Sequence, residues 1–209
     1  MIINPYVFGE RAKLGYIYNL YAIYNVLSAP TNWGVPSKSD FDTLAAYVTD
    51  GGDLKESGLT WWNTPNTGAD NSSGFTARGS GYRGASFSGL KTEFSIAGYG
   101  STQDICDLIL EYNNTTITVQ DGDYSKDAGY CVRMIYSGTG TPESTITDFD
   151  GNVYDVVQIG TQYWTVQNWK CTQYSEGNSL TKVTDQTTWN NAEAGDYYYC
   201  AYDNDNSLV

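Results

Sequence analysis

The groups in this chain that could do covalent chemistry are 24 carboxylates and four cysteines, and there is no histidine. That absence removes Ser-His-Asp and Cys-His nucleophilic catalysis, zinc sites of the HExxH type and every His-ligated metal. Carboxylate pairs, a thiol activated without imidazole, or a cation held by oxygen ligands remain. Asp104 and Asp107 are one such pair, and two carboxylic groups are what glycoside hydrolysis needs. The signal is generic in a chain this acidic, so the chain reads as a non-enzyme. Cys106, Cys131, Cys171 and Cys200 show no CxxC spacing, which argues against a zinc cluster. Cys131, inside the apolar run GYCVRMIY, reads as a buried free thiol. Two disulfides are the alternative, and a reducing compartment disfavours them.

Oxygen-rich turns are the other chemical feature. Asp148, Asp150 and Asn152 in DFDGN alternate like the first ligands of an EF-hand loop. A strand begins at Val153 instead, and no bidentate Glu follows at the required position. A turn led by Asp-Gly is the better reading. DNDN at 203–206 and NTGADN at 66–71 are similar in composition. At most these stretches would bind Ca²⁺ weakly, so no cofactor is expected and no metal site is assigned.

The net charge of −13 repels phosphate backbones and anionic lipid, so neither nucleic acid nor membrane is expected as a partner. Nineteen Tyr against six Phe, with 22 Gly, suit a β-rich, turn-rich domain whose phenol hydroxyls reach water. With 209 residues the chain can bury a substantial core, in one large or two small domains. Its first residues, MIINPYVFGERAKLG, lack the basic and apolar regions of a secretion signal, and no apolar run is long enough to span a bilayer.

The elements that must position these residues follow from pattern. Ser37, with Asp40 three residues on, is a capping-box variant, and Phe41, Leu44, Ala45 and Val48 form one apolar stripe on a helix over 38–47 that Gly51 and Gly52 should end. A second helix is expected from near Thr184, carrying Trp189 and Ala192. GYIYNLYAIYNV from Gly15 alternates like a long strand. Further strands are expected over 75–78, 81–83, 93–97, 108–112, 115–119 and 130–135. Strands over 153–159 and 162–166 flank Gly160-Thr161 and predict a tight hairpin. SGTGTPES at 137–144 reads as a linker and residues 1–13 as an extended arm.

Two groups of strings carry a resemblance. One is GYIYNLYAIYNV, NWGVPSKSDFDTLAAYV, GGDLKESG, WWNTPNTGADNSSGFTARGSGYRG and GYCVRMI, within 14–136. The other is TDFDGNVYDVVQIGTQYWTVQNWKCTQYSEG, VTDQTTW and CAYDNDN, within 145–209. Together they resemble the Fibrobacter succinogenes major paralogous domain, with its two halves in reversed order. The resemblance implies an α+β, C-type-lectin-like fold of the formylglycine-generating-enzyme branch, circularly permuted, with many short strands and two helices. One domain would be built from 14–136 and 145–209, with Leu14 close to Val209, or the second half would be swapped into a neighbouring copy. The oxidase branch of that fold depends on reactive cysteines, and no matching motif occurs here.

In lectin-like folds the irregular loops bind. By that analogy the binding surface is expected between GSGYRG and Asn114, where Tyr82, Arg83, Phe87, Phe94, Tyr99, Tyr112 and Asn113 supply rings for sugar faces and polar groups for hydroxyls. Trp33, Trp61, Trp62, Trp164 and Trp169 are assigned to the core. The resulting expectation is a non-enzymatic module on a phage head or tail fibre, binding host-surface or mucus glycan or protein. Its arm would contact other virion proteins, and a homo-oligomer would supply avidity. A purely structural virion component and a bacterial surface adhesin are the alternatives.

Overall fold

The computed structural model describes residues 13–25, 27, 29–100, 105–122, 125, 127–174 and 178–209. The arm at 1–13 therefore falls outside the described residues except for Lys13, as does Asp104 of the carboxylate pair.

Strands contributed by the first segment are β1 (Ile17–Asn19), β2 (Trp33–Gly34), β3 (Ser80–Arg83), β4 (Phe87–Leu90), β5 (Glu93–Tyr99), β6 (Ile105–Glu111), β7 (Ile117–Asp121), β8 (Gly129–Tyr130) and β9 (Ile135–Tyr136). The second contributes β10 (Thr145–Thr147), β11 (Val153–Ile159), β12 (Gln162–Thr165), β13 (Gln173–Tyr174), β14 (Asn178–Ser179), β15 (Thr181–Lys182) and β16 (Tyr198–Cys200). Three helices accompany them: α1 (Leu20–Asn25), α2 (Lys38–Tyr47) and α3 (Gln186–Asn190). The result is a β-rich α+β architecture.

The larger sheet runs β15-β16-β1-β8-β3-β5-β6-β7, with β4 added on β3, and the second runs β10-β11-β12-β9-β2. Each draws strands from both segments. In the first, Ile17 of β1 pairs with Cys200 of β16; in the second, Trp164 of β12 pairs with Ile135 of β9. Neither segment completes either of these two sheets alone, whereas a small third sheet, β13-β14, lies wholly within the second segment. The ends meet as well, since the Leu14 N–H donates to the Leu208 carbonyl at 2.8 Å. The two segments thus pair with each other in both sheets.

Local chemistry explains where the pattern held and where it did not. The Ser37 side chain accepts from the Asp40 N–H while Asp40 Oδ2 accepts from the Ser37 N–H at 2.8 Å, closing the capping box of α2. Phe41 and Leu44 point into the core, and Phe41 stacks on Trp164 at 6.0 Å. This helix stops at Tyr47, before Gly51. Asp53 takes the Thr49 N–H and Asp50 takes the Gly52 N–H, so side-chain acceptors replace helical carbonyls and Gly51–Asp53 forms a separate 3₁₀ turn. The β11–β12 hairpin turns at Gly160-Thr161, with Ile159 opposite Gln162.

The expected long strand from Gly15 is instead β1 followed directly by α1. Asn19, fully buried, is the reason: its Oδ1 accepts from the Ala22 N–H at 3.0 Å, as an N-cap does, and from the Tyr198 N–H at 3.0 Å. Residues 75–78 are not a strand either, because the Phe75 and Thr76 carbonyls are taken by the Arg133 guanidinium rather than by a neighbouring strand. The expected strand over 130–135 is divided between the two sheets, as β8 and β9. Trp62, Trp164, Trp169 and Trp189 are buried, whereas Trp33 and Trp61 lie at the core's edge.

Backbone approaches are close where loops cross. A Cβ on Gly52 would stand 2.2 Å from the Gly68 carbonyl oxygen. Gly52→Ala is therefore expected to destabilise the fold by roughly 2–4 kcal/mol, read from the urea midpoint. An unchanged midpoint would show that the two loops separate easily.

Candidate functional site

The place where the ends meet is also a cleft. Residues 13–16 are drawn across the second segment by three bonds: Leu14 N–H to Leu208, Tyr16 N–H to the Trp169 carbonyl at 3.0 Å, and Asn168 Nδ2 to the Leu14 carbonyl at 2.8 Å. Gly15 permits this crossing, with φ +74° and a Cβ position that would lie 2.7 Å from Asn168 Cβ. Beside it opens a cavity of about 280 Å³ lined by Lys13, Gly15, Asn152, Val153, Tyr154, Gln167, Asn168, Lys170 and Val209.

Its floor is stiff. Asp148, buried, accepts from the backbone N–H groups of Asp150 and Asn152 and from Asn152 Nδ2, all at 2.9 Å, and from the Tyr154 hydroxyl at 2.6 Å. DFDGN is thus the Asp-led turn expected from sequence. Tyr154 also accepts the Lys170 N–H at 2.9 Å and stacks on Trp169 at 4.4 Å. Burial, reinforced by Asp148, pushes its phenol pKa far up and keeps it a hydrogen-bond donor.

Asp148, Asp150 and Cys171 place one ligand atom each within 4.8 Å of one another, which invites a metal. The chemistry does not fit one. The Asp148 oxygens already accept four hydrogen bonds, and burial pushes the Cys171 thiol up to about 12, so it is protonated and donates to the Gln173 carbonyl at 3.2 Å. All four cysteines are free and buried, and burial raises each thiol, Cys106 and Cys131 to about 12 and Cys200 to about 11. None is an activated nucleophile.

Further rings follow the cleft's lining residues along the chain. Tyr16 and Tyr199, half-buried, meet edge to face at 4.8 Å. Burial raises both phenols, and Asp150 on the adjoining turn adds to it. Phe149 on that turn is exposed. The arrangement offers amide donors and acceptors, two ammonium groups and ring faces.

The residues expected to bind are spread over three places. Arg83 and Phe94 are completely buried. Arg83 donates to the Val183 carbonyl at 3.0 Å and lies over Trp189 at 4.2 Å, while Phe94 packs edge-on against Phe75 at 6.0 Å. Both hold the scaffold and are closed to a ligand. Tyr82 stacks on Tyr130 at 6.0 Å and Phe87 leans on Tyr202 at 5.2 Å. Tyr99 sits at the far end of β5, edge-on to Tyr24 at 5.8 Å. Tyr112 and Asn113 lie in the β6–β7 connection, with Asn113 exposed. The cleft and the Tyr16–Tyr199 pair escaped the sequence reading because 13–16, 148–154, 167–170 and 208–209 converge only in the fold. The expected closeness of Leu14 and Val209 was the available clue.

Carboxylates cluster elsewhere. Glu93 faces Glu111 across β5 and β6, and Asp107, nearly buried, accepts the Ser95 hydroxyl at 3.3 Å. Burial, then Asp107 and Glu111, raise Glu93 from 4.5 to about 7. A folded-state value above the unfolded one means stability is fully present below about pH 4.5 and is lost as pH rises through 7. Glu93→Gln is therefore expected to stabilise the protein at pH 8 by about 1 kcal/mol, after allowance for partial exposure, and to have little effect near pH 5. Urea titrations at the two pH values check this, and an equal effect at both would contradict it.

Among the described residues no helix is long and apolar enough to cross a membrane. No curated protein and no solved structure shows a significant match to the chain. A family model does match, over residues 5–102, so the match begins within the stretch read as an arm and ends before the second segment. It covers the capped helix α2, the Gly52 crossing and the β3–β5 region described above, and over these residues the chain is similar to the Fibrobacter succinogenes major domain.

Proposed function

We propose that this chain is a non-enzymatic binding module that recognises host-surface or mucus glycan through the cleft at its joined ends. The observation that carries the proposal is the cleft itself: a cavity lined by Asn152, Gln167, Asn168 and two lysines, with the Tyr16–Tyr199 ring pair beginning one residue beyond its Gly15. A sugar presents hydroxyls to the first set and apolar C–H faces to the rings. The raised thiols leave no activated cysteine, which favours binding over catalysis.

The domain is read as C-type-lectin-like, its halves in permuted order. The Leu14–Leu208 bond supports this, because permutation requires ends that lie together. The reversed order, which resembles phage-encoded members, supports placing many copies on a virion, where weak single contacts add up.

The test is binding of labelled protein to Bacteroidota cells, capsule-deleted mutants and mucin, with the wild type, Tyr16→Ser and the double variant Lys13→Ser with Lys170→Ser. Saturable binding lost with the capsule or with mucin deglycosylation, and weakened at least about tenfold in both variants, is expected. Absence of binding by folded protein would replace this reading with a structural role joining virion components.

A further inference from the structure

The tyrosine row does not end at Tyr16 and Tyr199. Tyr197 lies two residues before Tyr199 in extended chain, so their side chains leave the same face, about 6.6 Å apart. Tyr197 in turn meets Tyr174 of β13 edge to face at 5.8 Å. All four tyrosines are half-buried and pack on the second hydrophobic core. Behind them that core is rigid: Tyr18, fully buried, pairs with Tyr199 across β1 and β16 and donates to the Cys171 carbonyl at 2.9 Å. The row Tyr16–Tyr199–Tyr197–Tyr174 starts one residue from Gly15 of the cleft wall and extends on the order of 15 Å.

We infer that the ligand is a linear oligosaccharide bound along its length, with one unit in the cleft and successive units laid on the row Tyr16, Tyr199, Tyr197 and Tyr174. The inference rests on the cleft reading above and adds the form of the ligand. A site for one terminal sugar needs the cavity and at most one ring. A continuing row of partly exposed rings, each held edge-on by a neighbour, serves a repeating polymer. Rings of this kind lose little conformational entropy on binding, so each added unit gains stacking at small cost. The row is partly covered and interspersed with polar groups such as Asp150, which fits a sugar chain better than the apolar core of a protein interface.

Calorimetry with size-fractionated oligosaccharides from partially hydrolysed Bacteroidota capsule and from mucin, one to eight units long, tests this. Affinity is expected to climb at least about tenfold between one and four units and then level off. Tyr174→Ser and Tyr197→Ser are expected to flatten that climb and leave the shortest fragments unaffected. The double Lys13→Ser, Lys170→Ser variant is expected to weaken every length equally, and Tyr197→Phe, which keeps the ring, to retain the climb. Length-independent binding, or a climb untouched by Tyr174→Ser and Tyr197→Ser, would overturn the inference and leave the cleft reading standing. Failure of every fragment to bind would overturn both, and binding of deglycosylated mucin protein instead would assign the row to a protein partner.

Discussion

Arg133→Ala is expected to cost about 3–5 kcal/mol, the largest effect of any single substitution considered. Arg133 is 2 % exposed, and its guanidinium is held by neutral acceptors. It donates to the carbonyls of Phe75 and Thr76 and, at 2.9 Å, to Asn168 Oδ1, and it lies 4.1 Å from the Phe75 ring and 5.0 Å from that of Phe94. Truncation leaves three acceptors buried without a donor, at about 1–3 kcal/mol each before relaxation. It also opens a void between two aromatic rings. Asn168 links the loss to the cleft, since its amide holds the Leu14 carbonyl. Urea unfolding of the alanine variant should show the collapse in midpoint. Arg133→Lys should recover only part of it, because an ammonium cannot supply the fork or the planar stacking. A midpoint within about 1 kcal/mol of wild type for Arg133→Ala would mean the loop at 75–78 finds other donors.

Lys55→Met is expected to destabilise by about 3 kcal/mol. Lys55 is fully buried, and its ammonium donates to three backbone carbonyls, of Thr67 at 2.7 Å, Asn114 at 2.9 Å and Glu111 at 3.1 Å, from two separate stretches of chain. A bound cation would tie loops together in the same way. Methionine keeps the volume and removes the charge and all three donors, so the loops at 63–70 and 112–116 should exchange their amide protons faster before the rest of the sheet does. Hydrogen exchange by mass spectrometry checks the location as well as the size of the effect. Uniform acceleration over the whole chain would show that Lys55 supports the core and not those loops.

These buried cations also show which parts of the fold were readable from sequence. Helix 38–47 and the hairpin at Gly160-Thr161 depend on residues within a few positions of each other, and both were found where the pattern placed them. The β1–α1 junction depends on Asn19 accepting from Tyr198, 179 residues away. Local alternation of tyrosines therefore pointed to a strand. Arg83 and Phe94 looked like binding groups because an Arg and an aromatic in a loop-rich stretch ordinarily reach solvent, yet here carbonyls and rings from distant segments enclose both. The cleft was illegible for the same reason, since no short window contains two of its walls.

The shared sheets have a consequence for the order of events at the ribosome. Strand β1 is made before its partner β16, and Leu14 before the Leu208 carbonyl that secures it, with nearly all of the described chain between them. Strand β1 must wait, unpaired on the side that takes β16, until the second segment has been translated. Folding is consequently late and dominated by long-range closure, and the interval before it is when the chain is most exposed to chaperones, proteases and other nascent copies of itself.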